Sequence, residues 1–179
     1  MSNAESRKQA ATLRHSQIRA KAPRLEPEDQ PRFVADVMLG KLAKWLRIAG
    51  FDVLYSNRFT DDELLSLSAA EGRILLSRDT RLLVRRSVRH FIFLESDRIQ
   101  DQLRQVFCAT ATVQIPALLA RCLACNEILS EISREEVRAR VPLYVFRTQN
   151  SFKLCPRCRK IYWAGTHRQS VMRILEKLL

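Results

Sequence analysis

The chain has 179 residues, of which 46% are hydrophobic, enough to build one packed core and a small additional module. No apolar run reaches the length of a membrane span and no signal-peptide core follows the polar N-terminus, so we expect a cytoplasmic protein with no membrane partner. The net charge is +12, and residues 120–179 carry 12 basic against 5 acidic side chains. The excess of basic side chains in residues 120–179 favours a nucleic-acid partner. The alternative explanation is that this charge serves only solubility.

Residues 1–31 are predicted to be a disordered tail, because polar residues and scattered charges are followed by prolines at positions 23, 27 and 31. Short strands and helices then alternate. Thr60 and Glu63 form a capping-box pattern for the second helix, and Ser96 is the expected cap of the fourth. The alternation predicts an α/β fold with a parallel sheet. Strands are predicted at 32–36, 51–55, 73–77 and 90–94, and helices at 39–50, 60–72, 80–84 and 97–107.

Acidic residues follow each of the predicted strands. Asp36 follows the first, Asp61-Asp62-Glu63 the second, Asp79 the third and Asp97 the fourth. Because the carboxyl ends of parallel strands share one edge, we expect these carboxylates to lie together. Such a cluster needs a cation, and its hard oxygen ligands select Mg²⁺ or Mn²⁺, which can activate water for phosphodiester cleavage. For Asp61-Asp62-Glu63 and for Asp97, stabilisation of a helix N-terminus by an acidic side chain is an equally good explanation.

Two C-x-x-C pairs are the strongest chemical signal in the chain. Cys122 with Cys125, and Cys155 with Cys158, can place four thiolates around one Zn²⁺ and leave no open position for chemistry. The predicted zinc site is therefore structural, and a pair of disulfides is the alternative. Cys108 is expected to be a small buried apolar residue.

The segment around the second cysteine pair combines basic and aromatic side chains. Such side chains can hold phosphates and stack the bases of single-stranded RNA, although Tyr162 and Trp163 are also expected in a ribbon core. A helix is predicted at 130–140 with Ser133 as its cap, strands at 143–146 and 161–163, and a closing helix from residue 166 onwards. The candidate RNA-binding residues are Arg147, Lys153, Arg157, Arg159, Lys160 and Arg168, with His167 nearby.

Three stretches resemble the Mut-Seven carboxy-terminal ribonuclease domain, a PIN-like nuclease domain followed by a zinc ribbon. The first runs from Phe33 to Asp52 and reads F-x-x-D-x-M-L-G-x-L-A-x-W-L-R-x-x-G-x-D. The second is I-L-L-S-R-D-x-x-L, starting at Ile74. The third combines R-C-x-x-C-N, starting at Arg121, with C-x-x-C-x-x-x-Y-W-x-G-x-H, starting at Cys155. Together they cover residues 33–179 in order.

The resemblance implies a three-layer, PIN-like α/β domain over residues 32–116 and a zinc-ribbon domain with a C-terminal helix over residues 117–179. It also implies a metal-dependent ribonuclease in which Asp36 is the first acid and Asp79 the acid after the central strand, both as Mg²⁺ or Mn²⁺ ligands. Asp62 or Glu63 would be the helix-borne acid, and Asp97 the last one. Because PIN-like domains often pair, a homodimer is among the expected states.

We therefore expect a Mg²⁺- or Mn²⁺-dependent ribonuclease whose basic zinc ribbon helps to bind RNA. A non-catalytic RNA- or ribosome-binding module with a vestigial acidic site is the alternative, and a protein-interaction adaptor is a third hypothesis. The sequence leaves open which RNA is cut and whether cleavage is endonucleolytic or exonucleolytic.

Overall fold

The computed structural model describes residues 30–165 and 168–179. The predicted tail up to residue 29 and His167 lie outside the described residues, and so does the side chain of Arg168. Within these ranges, none of the helices combines the length and apolar character that crossing a bilayer requires.

A four-stranded sheet organises the first part of the chain. Its strand order is β2-β1-β3-β4, and every neighbouring pair is parallel, which confirms the predicted βαβ alternation. The strands are β1 (Arg32–Ala35), β2 (Asp52–Tyr55), β3 (Ile74–Ser77) and β4 (Phe91–Phe93). The helices are α1 (Gly40–Ile48), preceded by a 3₁₀ turn at Val37–Leu39, then α2 (Asp61–Glu71), α3 (Thr80–Leu83) and α4 (Ile99–Ala109).

Helix α2 begins and ends as its sequence predicts. The Thr60 hydroxyl accepts from the backbone N–H of Glu63, whose carboxylate accepts from the backbone N–H of Thr60, and Gly72 closes the helix in the left-handed conformation. The predicted start of α4 was wrong. The Ser96 hydroxyl accepts from the backbone N–H of Arg98 at 3.1 Å, so the helix begins only at Ile99 and Asp97 lies in the preceding loop.

A three-stranded antiparallel sheet carries the second part of the chain. Its strands are β5 (Ser130–Ile132), β6 (Phe152–Leu154) and β7 (Ile161–Trp163) in that spatial order, followed by the closing helix. The helices are α5 (Arg134–Val137), α6 (Leu143–Thr148) and α7 (Arg168–Glu176).

Two predictions in this part were wrong. The helix predicted at 130–140 is confined to α5, because residues 130–132 pair with β6, although Ser133 caps α5 as expected. The strand predicted at 143–146 is helix α6, in which Val145 is buried and Phe146 half-buried against Phe152. Tertiary packing decides the conformation of such a short β-prone run.

The parallel sheet buries both of its faces. Phe33 and Leu76 lie in the larger hydrophobic cluster, which includes the apolar sides of α1 and α4. Val34 and Leu75 are the chain neighbours of Phe33 and Leu76, so they face the other side of the sheet and pack with α2 and α3. Leu175 of α7 is fully buried in the larger cluster, so the end of the chain packs against the first sheet.

The first cysteine pair is attached to the parallel sheet through Asp52 and Asn126. Asp52 Oδ1 accepts from Arg73 Nη1 at 2.6 Å and from Asn126 Nδ2 at 2.7 Å, while Asn126 Oδ1 accepts from the backbone N–H of Val53 at 3.0 Å. Burial raises the pKa of Asp52, but the hydrogen bonds from Arg73 and Asn126 outweigh it and hold that pKa below its usual range. The carboxylate is therefore stabilised in its charged form.

Arg47 makes the second attachment. Its side chain is buried, and its Nε and Nη2 donate to the carbonyl of Val53 at 3.0 and 2.8 Å. Its Nη1 donates to the carbonyls of Leu123 and Ala124, the two residues between the first pair of cysteines, at 3.1 and 3.2 Å. We call Arg47, Asp52, Arg73 and Asn126 the clasp.

Asp52→Asn is expected to lower the free energy of unfolding by about 2 kcal/mol at pH 7, because it removes the charge that pairs with the buried Arg73 at 2.6 Å and leaves that guanidinium with Glu71 as its one remaining carboxylate partner among the described residues. Since the folded-state pKa of Asp52 is lowered, its charge stabilises the fold above the unfolded pKa and this contribution is lost as the pH falls through the folded pKa. Urea unfolding measures the change. Asp101→Asn, which removes an exposed pair with Arg104, should cost under about 1 kcal/mol, and equal effects would contradict the assignment.

Gly50→Ala is expected to destabilise the protein by roughly 3 kcal/mol or more. Gly50 has φ +98°, and an added Cβ would lie 2.4 Å from the backbone oxygen of Ala117. Gly72→Ala is the matched control, because Gly72 has φ +63° but open space around it, and strain alone should cost about 1–2 kcal/mol. Thermal or urea unfolding of both variants measures the difference. If the two variants lose the same free energy of unfolding, the steric contact between residue 50 and Ala117 is refuted as the cause.

Candidate active site and metal centre

The four predicted zinc ligands meet at one point. Their sulfur atoms all lie within 4.8 Å of one another, and the shortest separations are 3.5 Å for Cys122–Cys158 and 3.4 Å for Cys125–Cys155. A tetrahedral zinc with bonds of about 2.3 Å places its sulfurs about 3.8 Å apart, so the donor set and its spacing fit this ion. The alternative of two disulfides is not found, because all four cysteines are free.

Both cysteine pairs have the same local geometry. In the first, the N–H of Cys122 donates to the carbonyl of Glu127 at 2.7 Å, and in the second the N–H of Cys155 donates to that of Lys160 at 2.9 Å. The residue after each second cysteine has a positive φ, 70° at Asn126 and 61° at Arg159. The two turns are thus equivalent halves of one four-cysteine unit whose donor spacing fits a metal ion.

Tyr162 connects this unit to its surroundings. Its hydroxyl accepts from the backbone N–H of Leu123 at 3.2 Å, which leaves its proton for the sulfur of Cys122 at 3.1 Å. Burial raises the pKa of Cys122, but hydrogen bonds from Tyr162 and from backbone N–H groups outweigh it and bring that pKa to about 6. Burial raises the pKa of Cys125 to about 12. The hydrogen bonds around Cys122 thus favour its thiolate, the form of cysteine that binds a cation.

Asp36 and Asp79 follow neighbouring strands at the carboxyl edge of the parallel sheet, and Ser77 links the carboxylate of Asp36 to the backbone of Asp79. Asp36 is only 5% exposed, and its two carboxylate oxygens accept from the backbone N–H of Val37 at 2.6 Å and from the hydroxyl of Ser77 at 2.5 Å. The same Ser77 hydroxyl accepts from the backbone N–H of Asp79 at 2.9 Å. Sequence reasoning missed the role of Ser77, whose only signal is its place at the end of a buried strand.

The other candidate acids have partners of their own or lie apart. Asp62 pairs with Arg85 at 3.0 Å, and the carboxylate of Glu63 is held in the capping box of α2. Asp97 is exposed in the loop before α4. Among the residues that the structure describes, the four cysteines are the only set of three or more acidic, histidine or cysteine side chains close enough to hold one metal.

Most of the candidate RNA-binding side chains are free to meet a ligand. Lys153 is half-buried, and its ammonium donates to the carbonyl of Leu119 at 3.1 Å. The exposed candidates are Arg147, Arg157, Arg159 and Lys160.

The prediction that Cys108 is buried was wrong. Its thiol is exposed, because it lies beside rather than within the apolar stripe of α4.

Cys155→Ser is expected to lower the zinc content of the purified protein from about one ion per chain to well below half, because Cys155 is the buried member of the second pair. Loss of the ion should also lower the midpoint of thermal unfolding. Metal analysis and calorimetry measure both. Cys108→Ser is the matched control, since that thiol is exposed and outside the cluster; retention of zinc by both variants would rule out the four-cysteine site.

Comparison with known proteins finds one family. The chain matches the Mut7-C RNAse domain over residues 31–175, which includes the parallel sheet, both cysteine pairs and nearly all of the closing helix. No curated protein and no solved structure matches it. The acids at the sheet edge and the four-cysteine cluster both lie inside the matched region. The chain therefore belongs to the Mut7-C RNAse domain family.

Proposed function

We propose that this protein hydrolyses RNA phosphodiester bonds at the carboxyl edge of its parallel sheet, with Mg²⁺ or Mn²⁺ as the catalytic ion. The observation that carries the proposal is the buried carboxylate of Asp36, which Ser77 links to the backbone of Asp79. In the described ranges no basic side chain forms an ion pair with Asp36, so a cation is the partner that its charge lacks. The family adds that the domain is of the ribonuclease type.

The residues at this edge fit a divalent ion. Mg²⁺ commonly binds through one or two carboxylates and keeps waters or substrate phosphates as its other ligands, so Asp36 and Asp79 suffice as protein ligands. Each oxygen of Asp36 accepts one hydrogen bond and retains a lone pair for a cation. A bound ion would neutralise charge on a phosphoryl oxygen and lower the pKa of a coordinated water.

The chain's own groups hold these carboxylates in place. The Ser77 hydroxyl donates its proton to the carboxylate of Asp36 and accepts from the backbone N–H of Asp79, so a single side chain links the two positions. Asp79 also accepts from the backbone N–H of Arg81 at 2.8 Å, which turns its carboxylate back over the start of α3. Such fixed carboxylates need little reorganisation when substrate binds.

RNA binding is assigned to the basic part of the chain, with a structural zinc ion in its cysteine cluster. Three exposed basic side chains, Arg157, Arg159 and Lys160, lie on or beside the second cysteine turn, where a zinc ion would keep the backbone rigid. Contacts of this type with phosphates give affinity without base specificity. Asp62, Glu63 and Asp97 stay candidate acids whose contribution mutagenesis must measure.

The test is cleavage of a mixed panel of labelled RNAs by zinc-loaded protein, with Mn²⁺ and without added catalytic metal. Asp36→Asn is expected to lower Mn²⁺-dependent cleavage by about 100-fold or more while RNA binding is retained, because it removes a metal ligand. Ser77→Ala should lower it by about tenfold, since the carboxylate remains but is no longer positioned. Asp97→Asn is the variant for comparison, in which cleavage is measured after the same change at an exposed acid.

Cleavage that survives Asp36→Asn would place the chemistry elsewhere. If neither the parent protein nor any variant cuts RNA, although all bind it, the protein would be a binding module with a vestigial acidic edge. Filter binding of the same RNAs separates these outcomes from simple misfolding.

A further inference from the structure

The segment that joins β3 to β4 concentrates positive charge in the α/β part of the chain. Residues 78–90 contain five arginines and one aspartate, a net charge of +4. The other residues between 33 and 119 contain seven basic and nine acidic side chains, so they are slightly acidic as a group. The positive charge of this part of the chain is therefore local, and charge spread over the surface for solubility does not account for it.

The packing of this segment turns its charge outward. Leu82, Leu83 and Val88 are buried in the cluster that covers one face of the parallel sheet. The N–H of Val88 donates to the carbonyl of Arg85 at 3.1 Å, which closes a turn after α3. Because the apolar side chains point inward, every arginine of the segment is exposed. These arginines are Arg78, Arg81, Arg85, Arg86 and Arg89.

Two of the five arginines already have acidic partners. Arg85 donates to Asp61 at 2.9 Å and to Asp62 at 3.0 Å, at the start of α2. Arg81 Nε lies 3.6 Å from Asp79 Oδ1. Within the described ranges, no acidic side chain forms an ion pair with the other three. We call Arg78, Arg86 and Arg89 the crossover arginines.

Arg78 lies at the acidic edge itself. It stands between Ser77, whose hydroxyl donates to the carboxylate of Asp36, and Asp79. Neither acid forms an ion pair with it, so its guanidinium is available to an anion beside the carboxylates. Two carboxylates repel an approaching phosphate, and a cationic side chain at the same edge offsets that repulsion. Arginine also binds phosphate through two parallel N–H donors.

We infer that the crossover arginines bind phosphates of the RNA strand that lies over the acidic edge, with Arg78 at the phosphate nearest to Asp36. The inference rests on the proposed function for the nature of the ligand, and it adds a phosphate-binding surface at the acids to the one assigned to the ribbon. Contacts of this kind position a strand without reading its bases.

The experiment uses the full zinc-loaded chain with Arg78→Gln, Arg86→Gln and Arg89→Gln combined. Binding of a labelled single-stranded RNA is followed by anisotropy over a range of salt concentrations, without Mg²⁺ or Mn²⁺, so that no cleavage intervenes. Each lost phosphate contact should make the slope of log K against log salt shallower by about 0.7, which is about two units for three contacts. The affinity at low salt should fall by about tenfold.

The matched control removes the same net charge from exposed side chains of α1, α4 and the end of the chain, with Lys44→Gln, Arg104→Gln and Lys177→Gln combined. It should keep the slope of the parent protein to within about half a unit. Equal losses in the two variants would overturn the inference, because general attraction between opposite charges would then explain the binding. An unchanged slope in the crossover variant, or no RNA binding by the parent protein, would also overturn it. Thermal unfolding checks that both variants are folded.

Arg78→Lys separates charge from geometry at the acidic edge. It retains the charge and should keep the salt slope, but Mn²⁺-dependent cleavage is expected to fall by about tenfold, because lysine lacks the two parallel N–H donors. Cleavage at the parent rate would overturn the placement of Arg78 at the phosphate nearest to Asp36. If the parent protein does not cleave RNA, the proposed function fails and the salt slope still decides on the surface. If cleavage is intact and the slope of the crossover variant is unchanged, the surface alone fails.

Discussion

The charged hydrogen bonds of Asp52 are the constraint on which the arrangement of this protein depends. Asp52 begins β2, yet it also accepts from Asn126, the residue that completes the first cysteine turn in the left-handed conformation. Asn126 in turn caps the N–H of Val53, and Arg47 joins the carbonyl of Val53 to those of the same turn. The first cysteine turn and the edge of the parallel sheet therefore share one network of polar contacts, and neither can shift alone.

A second link makes the same two parts of the chain interdependent. The closing helix leaves the second sheet and buries Leu175 and Leu178 in the larger cluster of the first. The apolar core is thus complete only when both ends of the described chain are in place. Loss of the cysteine cluster is then felt in the α/β core as well as locally, because the segments that the cluster orders lead into the closing helix.

Most of the α/β architecture and the four clustered cysteines could be predicted from the sequence, because those features depend on local patterns. The capping box of α2, the glycine at residue 72 and the C-x-x-C spacing each act within a few residues. Two errors arose where distant contacts decide the conformation: residues 130–132 become a strand because they pair with β6, and Leu143–Thr148 becomes a helix that packs on Phe152. The contacts of the clasp could not be predicted for the same reason, since Asp52 and Asn126 are 74 residues apart.

The direction of the parallel strands places the clasp and the acids Asp36 and Asp79 at opposite ends of the sheet. Asp52 stands at the amino end of β2 and pairs in register with Arg32, whereas Asp36 follows the carboxyl end of β1. Four residues of strand separate these levels, a distance of roughly 13 Å. A single ligand that touched both the clasp and Asp36 would therefore have to extend by about this distance along the side of the molecule.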